Sequence, residues 1–224
     1  MTRRTRFPGP REGLWLWYEI GEDGHALRQA AFDRSLPVPP AGDPLYRTDC
    51  RMGGVTEGGA SVAASRDDLR LTLERFGPDG VRLYETVYGV LTDGPVEVPP
   101  GAEDVTGAEF ERAWVTARRH RHFTRHRTGP LPEGSLVTGT VTALPWGPGL
   151  TGLVVDIDRP GRAFVDFGQL PPRGEDWPPV GTVTEFEVVQ IRFDVRPERP
   201  DLQIRLRPTA VPPPGGPWPR RGPR

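Results

Sequence analysis

The stretch of this chain that is richest in groups able to do chemistry is ARRHRHFTRHR, residues 117–127, which we call the basic run. Arginines at this density suit phosphate groups, which they hold by ion pairs that weaken with salt, and Phe123 among them could stack on a base. Cations also gather structurally at the end of a helix, where they complement its negative pole, and in solvated linkers. Both interpretations stay open. The arginines concerned are Arg118, Arg119, Arg121, Arg125 and Arg127.

The histidines of the basic run raise the question of a metal site. His122 and His126 have the i, i+4 spacing that places two side chains on one helix face. A zinc ion needs three or four protein ligands, and no second ligand group lies near these two in the sequence. We therefore expect no metal.

Motifs for enzymatic chemistry are missing from the sequence. There is no G-x-S-x-G nucleophile motif, and Cys50 has no catalytic partner close to it in the chain. All the basic residues apart from histidine are arginine, so the lysine that a phosphate-binding P-loop requires is missing as well. The sequence predicts a non-enzymatic protein that uses no cofactor.

Length and composition limit the classes of protein to which the chain can belong. The chain has 224 residues, enough for one large domain or two small ones, and its net charge of -1 excludes a protein that coats nucleic acid through bulk charge. One cysteine cannot form an internal disulfide, which suits a reducing compartment. No apolar run approaches the roughly 18 residues of a membrane span. We expect a cytoplasmic bacterial protein that does not contact membranes.

The first half predicts a small α+β domain over residues 13–128, with an antiparallel sheet and one C-terminal helix. Residues 1–12 are expected to form a flexible arm. GLWLWYEI and HALRQAAF flank a GEDG turn, which is the pattern of a β-hairpin. Residues 35–65 are rich in proline, glycine, serine and alanine, and they predict a long loop.

A second hairpin is predicted from DDLRLTLERF, which alternates leucines as a strand does, followed by a GPDG turn and VRLYETVYGVL. Ser65 with Asp68 also resembles a helix cap, so a helix here stays open.

The helix at the end of this half has the strongest local signals. Thr106 is placed as its N-cap, with Glu109 at the capping-box position. Phe110, Trp114 and Ala117 then recur at i, i+4 and i+7 along one face. The pattern predicts a helix from residue 107 to about residue 122, which ends inside the basic run.

Beyond a breaking linker at 129–133, the second half predicts an all-β five-stranded barrel at 134–208. Five short strands separated by glycine and proline fit a small closed or partly open barrel of the OB type. Gly139 falls where a barrel strand must bend. Residues 209–224 lack periodicity and are expected to be a disordered tail.

The order of motifs in this half resembles the RNA-binding domain named after ribosomal protein S-one, an OB-fold module. The matching pieces cover about 78 residues and run GSLVTGTV, WG, LVVDI, AFVDFGQL, VGTVTEFEVVQI and QIRLR. The resemblance implies a non-enzymatic binding protein for single-stranded RNA or DNA, with aromatics stacking on bases and cations holding phosphates. Trp146 matches the first aromatic position of the family, whereas the second falls near Leu153 and the basic position on Gln203. The binding residues that we expect on this chain are Trp146, Phe164, Arg162, Arg205 and Arg207, assisted by Arg118, Arg119, Arg121 and Arg125 of the basic run.

Two features of the barrel argue against that function. Asp166 occupies the position where the family carries a histidine, and a carboxylate there repels phosphate. Residues 131–208 hold 8 arginines against 11 acidic residues, a net charge of -3. The alternative function is therefore a protein-interaction or immunity-type protein whose barrel no longer binds nucleic acid.

The first half weakly resembles a family of small bacterial domains of uncharacterised function, some of which are immunity-like. The resemblance rests on a Y-E strand, the segment from Arg28 to Phe32, a P-x-E-V-P segment and the helix start from Glu109 to Trp114. It implies a protein partner for residues 13–128.

Overall fold

A computed structural model describes residues 2–39, 58–194, 198 and 200–219. Two compact units make up the chain. Unit one comprises Met1–Arg70 and Tyr84–Thr124, and unit two comprises Leu71–Leu83 and Arg125–Arg224. The thiol of Cys50 and most of the predicted loop lie outside the described residues.

Unit one contains a five-stranded antiparallel sheet with the strand order β4-β3-β2-β1-β5. Its strands are β1 Arg3–Pro8, β2 Leu14–Ile20, β3 Ala26–Asp33, β4 Gly59–Ser65 and β5 Glu103–Asp104. The β2–β3 hairpin is confirmed, with Trp17 opposite Ala30.

Strand β1 corrects the prediction of a flexible arm at the N-terminus. It pairs with β2 along its whole length, from Arg3 opposite Ile20 to Pro8 opposite Trp15. Thr5 and Phe7 alternate inward and are buried, because both lie on the same face of the strand. Strand β4 likewise falls inside the segment that was predicted to be a loop.

Helix α1, Arg66–Tyr88, replaces the predicted second hairpin. The Ser65 hydroxyl accepts a hydrogen bond from the Asp68 N–H at 3.2 Å, so the cap signal decides against the leucine alternation. The GPDG segment lies within this helix and kinks it at Gly77, where φ is +67° and Pro78 follows. The prediction of a single helix in this half is therefore wrong.

Helix α2, Gly107–Phe123, confirms the prediction of a capped helix. Thr106 and Glu109 form the reciprocal capping box, and the helix packs on the sheet. Its buried face consists of Phe110, Ala113, Ala117 and His120. The opposite face of the sheet is covered by residues 90–102, which pack on a cluster of Phe7, Tyr18, Ile20 and Ala26.

Unit two contains a closed barrel with the strand order β10-β8-β7-β6-β9. Its strands are β6 Leu136–Ala143, β7 Gly152–Asp156, β8 Arg162–Asp166, β9 Val183–Asp194 and β10 Asp201–Pro208. Strands β8 and β10 pair in parallel and the other neighbours are antiparallel. Leu202, Ile204 and Leu206 point into the core and are fully buried, as their alternation predicts.

The predicted disordered tail is ordered over its described part. Residues 209–219, which we call the strap, return to the barrel after β10. Trp218 is 8% exposed, and its indole N–H donates to the backbone oxygen of Asp176 at 2.8 Å. A tryptophan among prolines carries no periodicity, so only the tertiary contact reveals its place.

Candidate functional site

Arg118, in the basic run, is held by groups of its own unit. Its guanidinium donates to a carboxylate oxygen of Asp68 at 3.0 Å, to the hydroxyl of Tyr84 at 3.3 Å and to the backbone oxygen of Ala63 at 3.2 Å. It also lies 3.6 Å from the centroid of the Tyr88 ring. Burial raises the pKa of Asp68 even though the charge of Arg118 opposes that rise. Arg118 is thus a half-buried cation with a structural role.

Arg121 binds the end of helix α1. Its Nε–H donates to the Val87 carbonyl at 2.7 Å and its Nη2–H donates to the Thr86 carbonyl at 3.0 Å. The last carbonyls of a helix have no partner within the helix, and a cation satisfies both their hydrogen bonding and their negative pole. Burial lowers the pKa of Arg121, because removing the guanidinium from water disfavours its charged form.

His120 lies between these two arginines in sequence and contacts the outer edge of strand β4. Its Nδ1 accepts a hydrogen bond from the Ala60 N–H at 3.2 Å, so the ring is neutral with the proton on Nε2. Burial lowers its pKa, with a further contribution from the charge of Arg119. The side chain is 6% exposed and meets Phe32 edge to face.

The outer edge of β4 is closed by side chains rather than by another strand. Besides the bonds from His120 to Ala60 and from Arg118 to Ala63, the Ser65 N–H donates to the Tyr84 hydroxyl at 3.1 Å. Unpaired strand edges recruit other strands, so this edge clamp blocks edge-to-edge association. These contacts favour a structural role for the central part of the basic run over a phosphate contact.

The rest of the basic run is held less closely by protein contacts. Arg119 is half-buried on α2. Arg125 belongs to unit two and is largely exposed, with its Nε 4.0 Å from a carboxylate oxygen of Glu133. Within the described residues no group of three metal-ligating side chains occurs, so His122 and His126 gain no third ligand there.

On the barrel, the structure brings together Phe164 and Arg205, two of the predicted binding residues. They are direct partners across β8 and β10, and the Arg205 guanidinium lies 5.1 Å from the centroid of the Phe164 ring. Phe164 is half-buried and is flanked on its other side by Val154 of β7. A flat guanidinium over a ring makes a surface on which a base can stack.

Each predicted arginine of the barrel lies beside a carboxylate. Arg205 contacts Asp166 at 2.6 Å, and Arg162 contacts Asp201 at 2.6 Å. Arg207 contacts Glu187 at 2.7 Å. The Asp166 carboxylate therefore meets a cation instead of acting alone. Exposed pairs of this kind contribute only about 0–1 kcal/mol, so a phosphate can displace the carboxylate.

Trp146 lies in the turn after β6 and is 72% exposed. Sequence reasoning missed two other exposed apolar side chains near the same loop, Leu150 and Phe167. The Phe167 N–H donates to the Thr151 carbonyl at 3.3 Å, which ties it to the end of that loop. Strand alternation places Phe167 inward with Val165, but the strand ends at Asp166 and a 3-10 turn begins at Phe167, so its ring is exposed.

No family model matches the chain, and a search of the curated proteins finds no match either. Among the described residues, the helices are too short or too polar to cross a membrane.

Proposed function

We propose that the barrel binds single-stranded nucleic acid weakly and without enzymatic turnover. The observation that carries the proposal is the pairing of Arg205 over Phe164 on the accessible face of a closed five-stranded barrel. Exposed Trp146 adds a second aromatic surface. Stacking is tolerant of base identity, so we expect little sequence preference.

Charge keeps this affinity low. The barrel segment carries a net charge of -3. Its predicted binding arginines, Arg162, Arg205 and Arg207, are already paired with carboxylates. Binding must exchange those carboxylates for phosphates, which yields few released counterions and a shallow dependence on salt. Base stacking at about 1–3 kcal/mol per base then supplies most of the affinity.

The test is fluorescence anisotropy of labelled single-stranded RNA and DNA oligomers at about 50 and 200 mM salt. Trp146→Ala and Phe164→Ala are each expected to weaken binding by about 5-fold or more, the equivalent of 1 kcal/mol. Trp146→Leu is the matched control for lost apolar bulk, and it should weaken binding to the same extent because it lacks a ring. Asp166→Asn should strengthen binding, since it releases Arg205 for phosphate. Binding that survives all the aromatic substitutions would sink the proposal.

A second candidate is a protein-interaction function, and the neutralised arginines favour it. Trp146, Leu150 and Phe167 are exposed apolar side chains of the kind that protein partners cover. Failure of every oligomer to bind at the lower salt concentration would select this candidate.

A further inference from the structure

The strap builds one wall of a cavity at the side of the barrel. The Gly215 N–H donates to a carboxylate oxygen of Asp176 at 2.8 Å, and the Trp218 indole donates to the backbone oxygen of the same residue at 2.8 Å. Asp176 ends a 3-10 turn that begins at Gly174. Two bonds to one residue fix the strap and define the cavity beneath it.

The cavity has a volume of about 230 Å³. Pockets for drug-sized ligands begin at roughly 300 Å³, so this smaller cavity suits a single small functional group of a ligand. Its principal lining side chains are Glu175, Asp176, Trp177, Thr182 and Trp218.

The lining offers ring surface and negative charge. The Trp177 indole N–H is already donated to the Pro171 carbonyl at 2.8 Å, and that of Trp218 is donated to Asp176. Both indoles are thereby fixed in orientation, and what they can still offer a ligand is π surface. Two carboxylates, from Glu175 and Asp176, line the same cavity, and among the described residues that line it none is basic.

We propose that this cavity binds a methylated ammonium group, either that of a small quaternary ammonium compound or that of a methylated lysine side chain. A positive charge complements the two carboxylates, and indole rings attract cations through their quadrupole. A group whose nitrogen carries methyls in place of hydrogens needs few hydrogen-bond acceptors. This fits a cavity to which Trp177 and Trp218, 6% and 8% exposed, present ring surface with both indole N–H groups already donated. This site involves none of the residues assigned to nucleic-acid binding, so ligand binding in the cavity can be tested independently of that function.

The experiment compares choline with its neutral isostere 3,3-dimethylbutan-1-ol, using the full chain. Binding is followed through the indole N–H signals of Trp177 and Trp218 in ¹H–¹⁵N spectra, assigned with Trp177→Phe and Trp218→Phe. A cation–π contribution of about 0.5–2 kcal/mol predicts that choline binds about 2- to 30-fold more tightly than the alcohol. A peptide with trimethyllysine and its unmethylated counterpart form the second arm.

Two variants keep the result interpretable. Trp218→Leu should weaken choline binding and remove the preference over the alcohol. Glu175→Gln should leave the fold intact, since the Glu175 side chain is 75% exposed and its ion pair with Arg173 at 3.6 Å lies at the surface. It should weaken choline binding without affecting the alcohol. Saturable binding of either methylated ligand with loss in both variants supports the site. Equal affinity for choline and the alcohol together with no preference for the methylated peptide, or no saturable shift with any methylated ligand, overturns it.

Discussion

The guanidinium of Arg118 lies 3.6 Å from the centroid of the Tyr88 ring while it donates a hydrogen bond to Asp68. One side chain therefore joins helix α2 to both ends of helix α1, because Asp68 lies in its first turn and Tyr88 is its last residue. A residue that the sequence offers as a phosphate ligand is thus central to the packing of unit one.

Replacing Arg118 with methionine should destabilise unit one by about 3 kcal/mol. The change keeps most of the aliphatic volume but leaves the Asp68 carboxylate withdrawn from water without its cation, and breaking a buried pair costs about 3–5 kcal/mol. Urea denaturation measures the free energy of unfolding. Arg125→Met is the matched control from the same basic run, and it should change that free energy by less than about 0.5 kcal/mol because its side chain is 82% exposed. Equal effects of the two substitutions would contradict the structural role of Arg118.

The buried histidine predicts a dependence of stability on pH. The folded state lowers the pKa of His120 below its ordinary value of 6.5, so the unfolded chain takes up its proton first as the pH falls. The contribution of the neutral ring is complete above pH 6.5 and is lost as the pH falls from there towards the folded-state pKa. His120→Asn retains an acceptor for the Ala60 N–H but does not titrate.

The measurement is the free energy of unfolding of both proteins between about pH 7 and pH 5. Wild type should lose more stability than His120→Asn across this range, since the other titrating groups are shared. Parallel curves for the two proteins would show that His120 does not carry the effect.

Gly139→Ala should destabilise the barrel by about 1–3 kcal/mol. An added Cβ would overlap the side chain of Val155 and approach a methyl of Ile157 to 2.8 Å and the Asp156 carbonyl to 3.0 Å. Gly168→Ala is the control, because a Cβ there meets no atom within 4 Å. In thermal unfolding, the melting temperature of Gly139→Ala should be lower than that of wild type, and that of Gly168→Ala should be unchanged.

Trp218→Ala should destabilise unit two by about 3–5 kcal/mol, the range for truncating a large buried aromatic side chain. Trp146→Ala removes the same indole from an exposed position and should leave the free energy of unfolding within about 0.5 kcal/mol of wild type. Hydrogen exchange at the Gly215 amide adds a local readout, because that N–H is held by Asp176 only while the strap is docked. Unchanged exchange in Trp218→Ala would mean that Trp218 does not hold the strap.

Features whose causes are local were predictable from the sequence. The capping box of Thr106 and Glu109 defines the start of α2 through residues three apart, and strict alternation at Leu202, Ile204 and Leu206 defines β10. Elements that depend on distant partners were missed. Strand β1 carries Arg4 and Arg6 on its other face, and arginines at this density are typical of an unstructured segment. Only the fold brings the carboxylates of Glu19 and Glu103 beside them.

The same distinction between local signals and distant partners applies to the residues of the candidate site. The sequence named Phe164 and Arg205 as separate binding residues, and only pairing in space could show that they are direct neighbours. The role of Arg118 was hidden because its partners, Asp68 and Ala63, are 50 and 55 residues away in the chain. A cluster of like charges shows affinity for anions in general, but not whether the anion is a phosphate or a carboxylate of the same protein.

The edge clamp on β4 also has a consequence for synthesis. Ala60 and its partner His120 are 60 residues apart, and Ala63 and Arg118 are 55 apart. At about 5–20 residues per second, β4 is made roughly 3–12 s before the side chains that close its outer edge. During that interval the chain has β4 but not yet the side chains that close its outer edge, and unpaired strand edges are the groups that promote association between unfinished chains.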